Sequence, residues 1–247
     1  MLKYIILGVV QGIAEFLPVS SSGHLVIMQN LIAVTEEAVV ISVVLHLGTS
    51  LALVIFFFKD ILNLLRNFRV LLYIIIVTLI TGIIGISAKG FFERLFNSPR
   101  SVAIALIVTG IILILTRRFM QAERAALNIK DAFILGLTQG IAIIPGISRS
   151  GITISTLLFR GLDRETSFRF SFLASIPAVF GAAILEARDI NLAANAGARN
   201  LIIGFIASLL TGLLSLKILK MILGKARLYY FGYYCIIIAV ITLLLIR

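Results

Sequence analysis

Long uninterrupted runs of Ile, Leu and Val limit what this chain can fold into more than any other feature of its sequence. Several of them reach the length of about 20 apolar residues that a helix needs to cross the hydrocarbon core of a bilayer. The chain is 60% hydrophobic and only 13% charged, whereas soluble domains are about half apolar and a quarter charged. A transmembrane barrel would show short segments of alternating polarity instead. The sequence therefore predicts an all-α integral membrane protein.

The positions of the apolar runs predict about six full transmembrane helices in a single membrane domain, residues 1–247. The expected spans are residues 38–58, 70–88, 101–116, 168–187, 200–223 and 229–246. Two further apolar stretches, 1–33 and 131–160, are broken by Pro and Gly into pieces too short to cross. Irregular backbone is tolerated inside a bilayer only where it lines a cavity or packs on protein. Each of these two stretches therefore predicts a re-entrant broken helix hairpin.

The two broken stretches contain an internal repeat. Residues 7–23 read LGVVQGIAEFLPVSSSG and residues 135–151 read LGLTQGIAIIPGISRSG, with nine of the seventeen aligned positions identical. The repeat halves are approximately 1–120 and 131–247, and a charged connector lies at 117–130. Because three full spans, an odd number, separate the two copies, the halves should have opposite orientations. This predicts an inverted-topology repeat whose hairpins meet near the membrane midplane.

The net charge of +11 comes mostly from Lys and Arg in the short loops between apolar runs. We attribute it to topology and to anionic lipid headgroups, and we do not expect nucleic acid as a partner. About twice as many of these residues fall on the side opposite the N-terminus, which the positive-inside rule makes cytoplasmic. The first hairpin should then enter from outside. Tyrosine rings prefer the membrane interface. An aromatic cluster is therefore expected on the inner side, formed by Tyr229, Tyr230, Tyr233 and Tyr234.

Glu15 carries the strongest functional signal in the first copy. A carboxylate inside an apolar segment is costly and marks a candidate functional site. Gln11 lies one helical turn earlier, on the same face. Glu15 could act as a base or bind a divalent cation, with Gln11 orienting the substrate or the metal; the alternative is a structural glutamate with a partner. His46, in the following span, could support such a site or pack in the core.

The SSSGH segment at residues 20–24 resembles the start of a helix. The hydroxyls of Ser20, Ser21 and Ser22 can cap exposed N–H groups, and the positive end of a helix favours anions such as phosphate. Ser21 could also be a nucleophile, with His24 as its base. The alternative is an ordinary helix cap beside a histidine that only packs.

The second copy supplies a cation that the first copy lacks. Arg149, at predicted membrane depth, needs an anionic partner, which could be Glu15, a phosphate or both, since a guanidinium binds phosphate with two hydrogen bonds. A structural Arg149–Glu15 ion pair is the alternative. Together the copies suit the cleavage of a phosphoanhydride bond, because donors would stabilise the developing charge while a base activates a nucleophile. The differences that make this composite site are Glu15 against Ile143, Ser21 against Arg149, and His24 against Ile152.

These residues resemble the motifs of the undecaprenyl-diphosphate phosphatase family, which is also known for bacitracin resistance. Gln11 and Glu15 match a motif of Glu or Gln, three residues, then Glu. Residues 20–24 match SS[ST]GH, and residues 145–153, PGISRSGIT, match PGxSRSGxT without a gap. The resemblance covers essentially the whole chain, which is somewhat short for the family. Gln11 stands where many members have Glu, so one carboxylate of that pair is missing.

The resemblance implies an enzyme that removes the terminal phosphate of undecaprenyl diphosphate and so recycles the lipid carrier for cell-envelope glycan synthesis. It also implies a prokaryotic plasma membrane, a site open to the outer face, and a divalent cation, Mg²⁺ or Ca²⁺, held by Glu15 and Gln11. The catalytic candidates carried over are Glu15, His24, Ser21 and Arg149. The implied phosphate ligands are Ser20, Ser22, Ser148, Arg149, Ser150 and Thr153. The nucleophile is left open between Ser21, His24 and water.

A transporter or flippase for a lipid phosphate is the rival hypothesis, because inverted repeats with broken helices at the midplane are a transporter design. A purely structural membrane subunit would leave Glu15, His24 and Arg149 without a purpose. The expected partners are the polyprenyl diphosphate and membrane lipids, and a homodimer is left open.

Overall fold

The computed structural model describes residues 1–24, 38–64, 66–96, 98–188 and 197–245. This part of the chain is helical, and its backbone forms no strand beyond one isolated bridge between Arg124 and Leu162. In chain order, the helices are α1 (Leu2–Phe16), α2 (Ala38–Phe56), α3 (Phe58–Leu64), α4 (Phe68–Ser87), α5 (Lys89–Phe96), α6 (Pro99–Leu115), α7 (Ile129–Ile141), α8 (Arg149–Phe159), α9 (Arg164–Arg188), α10 (Ala198–Gly224) and α11 (Tyr230–Leu245).

Four helices of the described chain are long and apolar enough to cross a membrane: α4, α6 with its 3₁₀ extension to Phe119, most of α9, and α10. A fifth candidate is the pair of α2 and α3, which is bent by 70°. The last expected span is α11, with 16 residues; it is about 24 Å long, less than the hydrocarbon core of about 30 Å. The prediction of an all-helical, multi-pass membrane protein is confirmed, whereas the count of six spans stays a prediction.

Two short helices occupy segments that the sequence alone left as the end of a span or as a loop. The helix α3 carries Lys59 and Asp60, and α5 carries Lys89 and Arg94. None of the residues of α3 is buried. Charged side chains favour water, so we expect both short helices to lie near the membrane interface.

The two halves of the chain pack against each other crosswise. The helix α1 lies against α10, and α7, its counterpart in the second copy, lies against α4. Both approaches are too close for a side chain. A Cβ on Gly8 would lie 2.5 Å from the carbonyl oxygen of Gly204, and one on Gly136 would lie 2.9 Å from Cβ of Ile80. The identical glycines of the repeat therefore serve helix packing.

A buried carboxylate fastens the connector to the second copy. Arg124 donates two hydrogen bonds to Asp131, at 2.7 and 3.0 Å, and Arg160 Nε donates one at 3.0 Å. Asn128 and Asp131 also form a reciprocal cap at the start of α7. Because Arg160 directly follows α8, this one carboxylate holds the beginning of α7 and the end of α8 together.

We expect Asp131→Asn to lower the free energy of unfolding by about 3 kcal/mol, because two arginines lose the negative charge that they share. Asp60 provides a matched control, since its carboxylate lies 3.2 Å from Arg169 in an exposed ion pair. Asp60→Asn should cost at most about 1 kcal/mol. Thermal unfolding of the purified protein in detergent, followed by circular dichroism, measures both. An unchanged melting temperature for Asp131→Asn would contradict this assignment.

Candidate functional site

The two repeat loops touch each other. A Cβ on Gly23 would lie 3.5 Å from Cα of Gly146, and one on Gly151 would lie 3.3 Å from Cβ of Pro18. Gly146 has a φ of +94°, a conformation that glycine adopts without steric cost. The two broken stretches therefore meet, as the repeat predicts. The remainder of the first expected hairpin, after residue 24, lies outside the described residues.

Equivalent serines start the helix that follows each loop. The Gly23 N–H donates to Ser20 Oγ at 3.3 Å, and the Gly151 N–H donates to Ser148 Oγ at 3.1 Å. A second serine hydroxyl lies beside each cap. Ser22 Oγ is 3.3 Å from Ser20 Oγ, and Ser150 Oγ is 3.4 Å from Ser148 Oγ. The predicted helix starts are confirmed. Three of the implied phosphate ligands, Ser20, Ser148 and Ser150, are buried in these caps.

Glu15 is the centre of the side-chain contacts between the copies. Arg149 Nη2 donates to Glu15 Oε1, while Ser21 Oγ donates to Oε2 at 2.7 Å and Gln11 Nε2 donates to Oε2 at 3.2 Å. His46 Nε2 lies 3.7 Å from the same oxygen. The structure thus joins three polar side chains of the first copy with the cation of the second, and it adds a histidine from α2.

The ion pair at this centre is largely shielded from solvent. The Glu15 side chain is 8% exposed and the Arg149 side chain 18%. Removing one partner of a buried pair leaves the other charge without compensation. A guanidinium has five N–H donors, and a single carboxylate oxygen cannot accept hydrogen bonds from all of them. Arg149 can therefore bind a second anion while it keeps its contact with Glu15. The guanidinium therefore has donors left for a phosphate, whose negative charge a cation would have to offset.

His24 has its hydrogen-bond partners outside this centre. Its Nδ1 lies 2.9 Å from the carbonyl oxygen of Ser20, and its Nε2 lies 2.7 Å from Oη of Tyr234. The imidazole and the phenol ring are parallel within 6°, with centroids 5.7 Å apart. The hydroxyl of Ser21 is instead bonded to Glu15. The pairing of Ser21 with His24, which the sequence allowed, is replaced here by a pairing of Ser21 with a carboxylate.

Thr153 lies in the first turns of α8, after the second repeat loop. Its hydroxyl donates to the carbonyl oxygen of Arg149 at 2.6 Å and lies 2.6 Å from Ser171 Oγ. The residue is 1% exposed. Thr153 therefore holds the backbone of the arginine and reaches across to α9, a different role from the phosphate ligand implied by the resemblance.

Thr109 on α6 holds the second loop, and the sequence analysis missed it. Its hydroxyl donates to the Gly146 carbonyl oxygen at 2.9 Å and accepts from the Ser148 N–H at 3.1 Å. The only sign in the sequence was a hydroxyl within an apolar span, which is common because such groups can bond to their own helix. A bond to a loop 37 residues away leaves no local pattern.

One further contact settles an alternative that the sequence left open, and another was unpredicted. His46 was as likely to pack in the core as to support the site, and it lies beside Glu15. Tyr234 was expected in a cluster of four rings, and its hydroxyl contacts His24 instead. The other three rings, Tyr229, Tyr230 and Tyr233, do contact one another. A sequence shows that a histidine or tyrosine lies in a span, and helix packing decides which neighbour it meets.

Oxygen atoms that could hold a cation lie beside Glu15. Gln11 is fully buried, and its Oε1 has no hydrogen-bond partner among the described residues. No group of three His, Cys, Asp or Glu side chains converges anywhere in that part of the chain. A cation at this position would thus depend on one carboxylate, an amide oxygen and ligands from outside the protein.

Comparison with known proteins identifies the relatives of the chain. The family model described as "Bacitracin resistance protein BacA" matches residues 4–241. A protein of Carboxydothermus hydrogenoformans named undecaprenyl-diphosphatase is 43% identical over an alignment of 249 positions, which covers 98% of this chain and 95% of that protein. Proteins with the same name from Halothermothrix orenii and Methanosphaera stadtmanae are each 41% identical, over 98% and 99% of this chain and 97% and 98% of theirs. The chain therefore belongs to the bacitracin resistance protein BacA family.

Proposed function

We propose that this chain hydrolyses undecaprenyl diphosphate to the monophosphate and inorganic phosphate in the membrane. The observation that carries the proposal is the contact of Glu15 with both Ser21 and Arg149 across the two repeat loops. A base, a hydroxyl and a phosphate-binding cation lie within one site, as cleavage of a phosphoanhydride requires. The names of the relatives, each an undecaprenyl-diphosphatase, point to the same substrate.

Glu15 acts as the general base in this proposal. Its Oε2 takes the proton of the nucleophilic hydroxyl, which belongs to Ser21 or to a water in the same place. The nucleophile bonds to the terminal phosphorus as the bond from that phosphorus to the bridging oxygen breaks. The lipid monophosphate leaves with the electron pair. If Ser21 attacks, a water then hydrolyses the phosphoserine and frees inorganic phosphate.

Arg149 binds the phosphoryl oxygens in this proposal. Its planar guanidinium matches two oxygens of a phosphate and stabilises the charge that grows on them. Ser148 starts α8 immediately before the arginine, so the positive end of that helix faces the same anion. Ser22 offers a further hydroxyl close to the cap of the first copy. Ser20, Ser148 and Ser150 serve by shaping these two helix starts.

A divalent cation fits the residues beside Glu15. The unpaired oxygen of Gln11 and the Glu15 carboxylate are hard oxygen ligands. Mg²⁺ commonly binds one or two carboxylates together with phosphate oxygens of the substrate. Bound there, Mg²⁺ or Ca²⁺ would offset the negative charge of the diphosphate. Phosphate release by the purified protein should therefore fall when EDTA is added and return with excess Mg²⁺.

Phosphate release from undecaprenyl diphosphate by the purified protein in detergent tests the proposed activity. We expect release that is linear in enzyme and that stops at the monophosphate. A folded sample that releases no phosphate with Mg²⁺ or Ca²⁺ would overturn the proposal. The rival transporter hypothesis gains no support from the names of these relatives, each of which describes a diphosphatase.

The proposed arrangement in the prokaryotic plasma membrane is six spans and two re-entrant hairpins, with the site open to the outer face. Exposed positions on opposite sides test it. We expect Gly90→Cys to react with an impermeant thiol reagent from outside, and Gln121→Cys to react only after permeabilisation, in a chain whose buried Cys235 is replaced by Ala. Both residues are exposed in the structure. The opposite pattern would reverse the orientation.

We expect Thr109→Val to lower kcat about tenfold, because the loop that presents Arg149 loses two hydrogen bonds worth about 1 kcal/mol each. Thr109→Ser keeps the hydroxyl and should retain most of the activity. Steady-state phosphate release at saturating substrate measures both variants. If Thr109→Val turned over at the wild-type rate, the second loop would not depend on α6.

A further inference from the structure

The contact between His24 and Tyr234 joins the first repeat loop to the last helix, 210 residues later in the sequence. The phenol hydroxyl lies 2.7 Å from Nε2 of the imidazole, and the two rings lie side by side in nearly parallel planes, 6° apart. The mechanism proposed above uses neither interaction. Tyr234 is 40% exposed, so its ring can move without opening the core.

The partners of the imidazole define its tautomer. A carbonyl oxygen can only accept a hydrogen bond, so Nδ1, which is 2.9 Å from the Ser20 carbonyl oxygen, carries a hydrogen. In the neutral ring Nε2 then has the lone pair. The Tyr234 hydroxyl is the donor that faces it, at 2.7 Å. The reactive nitrogen of His24 is therefore covered by the phenol.

We propose that Tyr234 is a positioning residue that holds His24 in the Nδ1–H tautomer and covers its Nε2 until a phosphate of the substrate arrives. The hydrogen bonds at both nitrogens fix the orientation of the imidazole, and the phenol hydroxyl occupies the lone pair of Nε2. When substrate binds, the phenol gives up Nε2, which becomes free to accept a hydrogen bond or a proton at the phosphoryl group. This inference rests on the proposed function for the identity of the substrate.

The contributions of the phenol ring and of its hydroxyl can be separated by two substitutions. Tyr234→Phe keeps the ring and removes the donor, whereas Tyr234→Leu removes both. Tyr233 is the matched control, since its ring packs on Tyr229 at 6.3 Å and it lies next to Tyr234 on α11. Tyr233→Phe should leave His24 unaffected.

Chemical modification measures how accessible the Nε2 lone pair of His24 is, and it does not require an active enzyme. Diethyl pyrocarbonate acylates an imidazole at an unprotonated nitrogen, and peptide mass spectrometry measures its rate at His24 and His46 separately. We expect Tyr234→Phe to raise the rate at His24 about fivefold, the equivalent of one neutral hydrogen bond. The rate at His46 should not change, and Tyr233→Phe should match the wild type. Equal rates at His24 in Tyr234→Phe and the wild type would overturn the proposal.

Turnover measures what the phenol ring itself contributes. We expect Tyr234→Phe to keep kcat within about twofold and to lower KM, because substrate no longer displaces a hydrogen bond. Tyr234→Leu should lower kcat about tenfold, since the imidazole loses its fixed plane. If Tyr234→Phe lost as much kcat as Tyr234→Leu, the hydroxyl would take part in the chemistry and the covering role would be wrong. Failure of the wild type to release phosphate would instead reject the proposed function, and the modification rates would still decide this contact.

Discussion

We expect Glu15→Ala to lower kcat for phosphate release by about a thousandfold, within the range that a positioned general base contributes. The expected loss has two physical causes. Ser21 loses the oxygen to which its hydroxyl donates at 2.7 Å, and Arg149 loses its negative partner. Glu15→Gln separates them, because it keeps the volume and a hydrogen-bond acceptor but cannot take up a proton at neutral pH. We expect Glu15→Gln to be nearly as inactive as Glu15→Ala.

The control for Glu15 is another acidic residue far from the repeat loops. Glu123 lies exposed on the connector, and Glu123→Gln should keep wild-type turnover. The yield and melting temperature of each purified variant show whether a loss of activity is a loss of folding. If a folded Glu15→Ala retained full activity, the assignment of the site to the repeat loops would fail.

Arg149→Ala has the second large effect that we expect, a fall in kcat/KM of about a thousandfold through loss of the donors that face the transferred phosphate. Arg149→Lys restores the charge without the planar pair of donors, and it should recover only part of the activity. Arg118 is the matched control because it is exposed at the end of α6, and Arg118→Ala should behave as the wild type. Equal activity of Arg149→Lys and the wild type would show that two-point binding is not needed.

The two largest effects should not add. Glu15 and Arg149 are in direct contact, and residues that act as a unit show strongly non-additive losses. The double variant Glu15→Ala, Arg149→Ala removes both charges, so it avoids the unpaired buried charge that each single variant leaves. We expect the double variant to turn over at least as fast as the less active of the two single variants. Its folded state should be more stable than that of either single variant. Multiplied losses would mean that the two residues act separately.

The cost of an unpaired charge in a membrane predicts the centre of the site from the sequence. A guanidinium and a carboxylate inside apolar segments each need a partner, and the prediction that Arg149 could pair with Glu15 is confirmed across 134 positions. The serine caps were predictable for a similar reason, since hydroxyls before a helix start have few other partners. The roles of Thr109 and Tyr234 were missed, and His46 stayed between two alternatives, because nothing local distinguishes a polar residue that faces a site from one that bonds to its own helix.

The sequence by itself determined the class of the protein, the two copies of its loop and the charged residues that must meet. Those properties follow from local composition, the length of apolar runs and the cost of unpaired charge in a membrane. The tertiary structure alone decided which groups face each other, through close helix packing such as that of α1 on α10 at Gly8. That packing joined Ser21 to Glu15, turned His24 toward Tyr234 and placed Thr109 beneath Gly146.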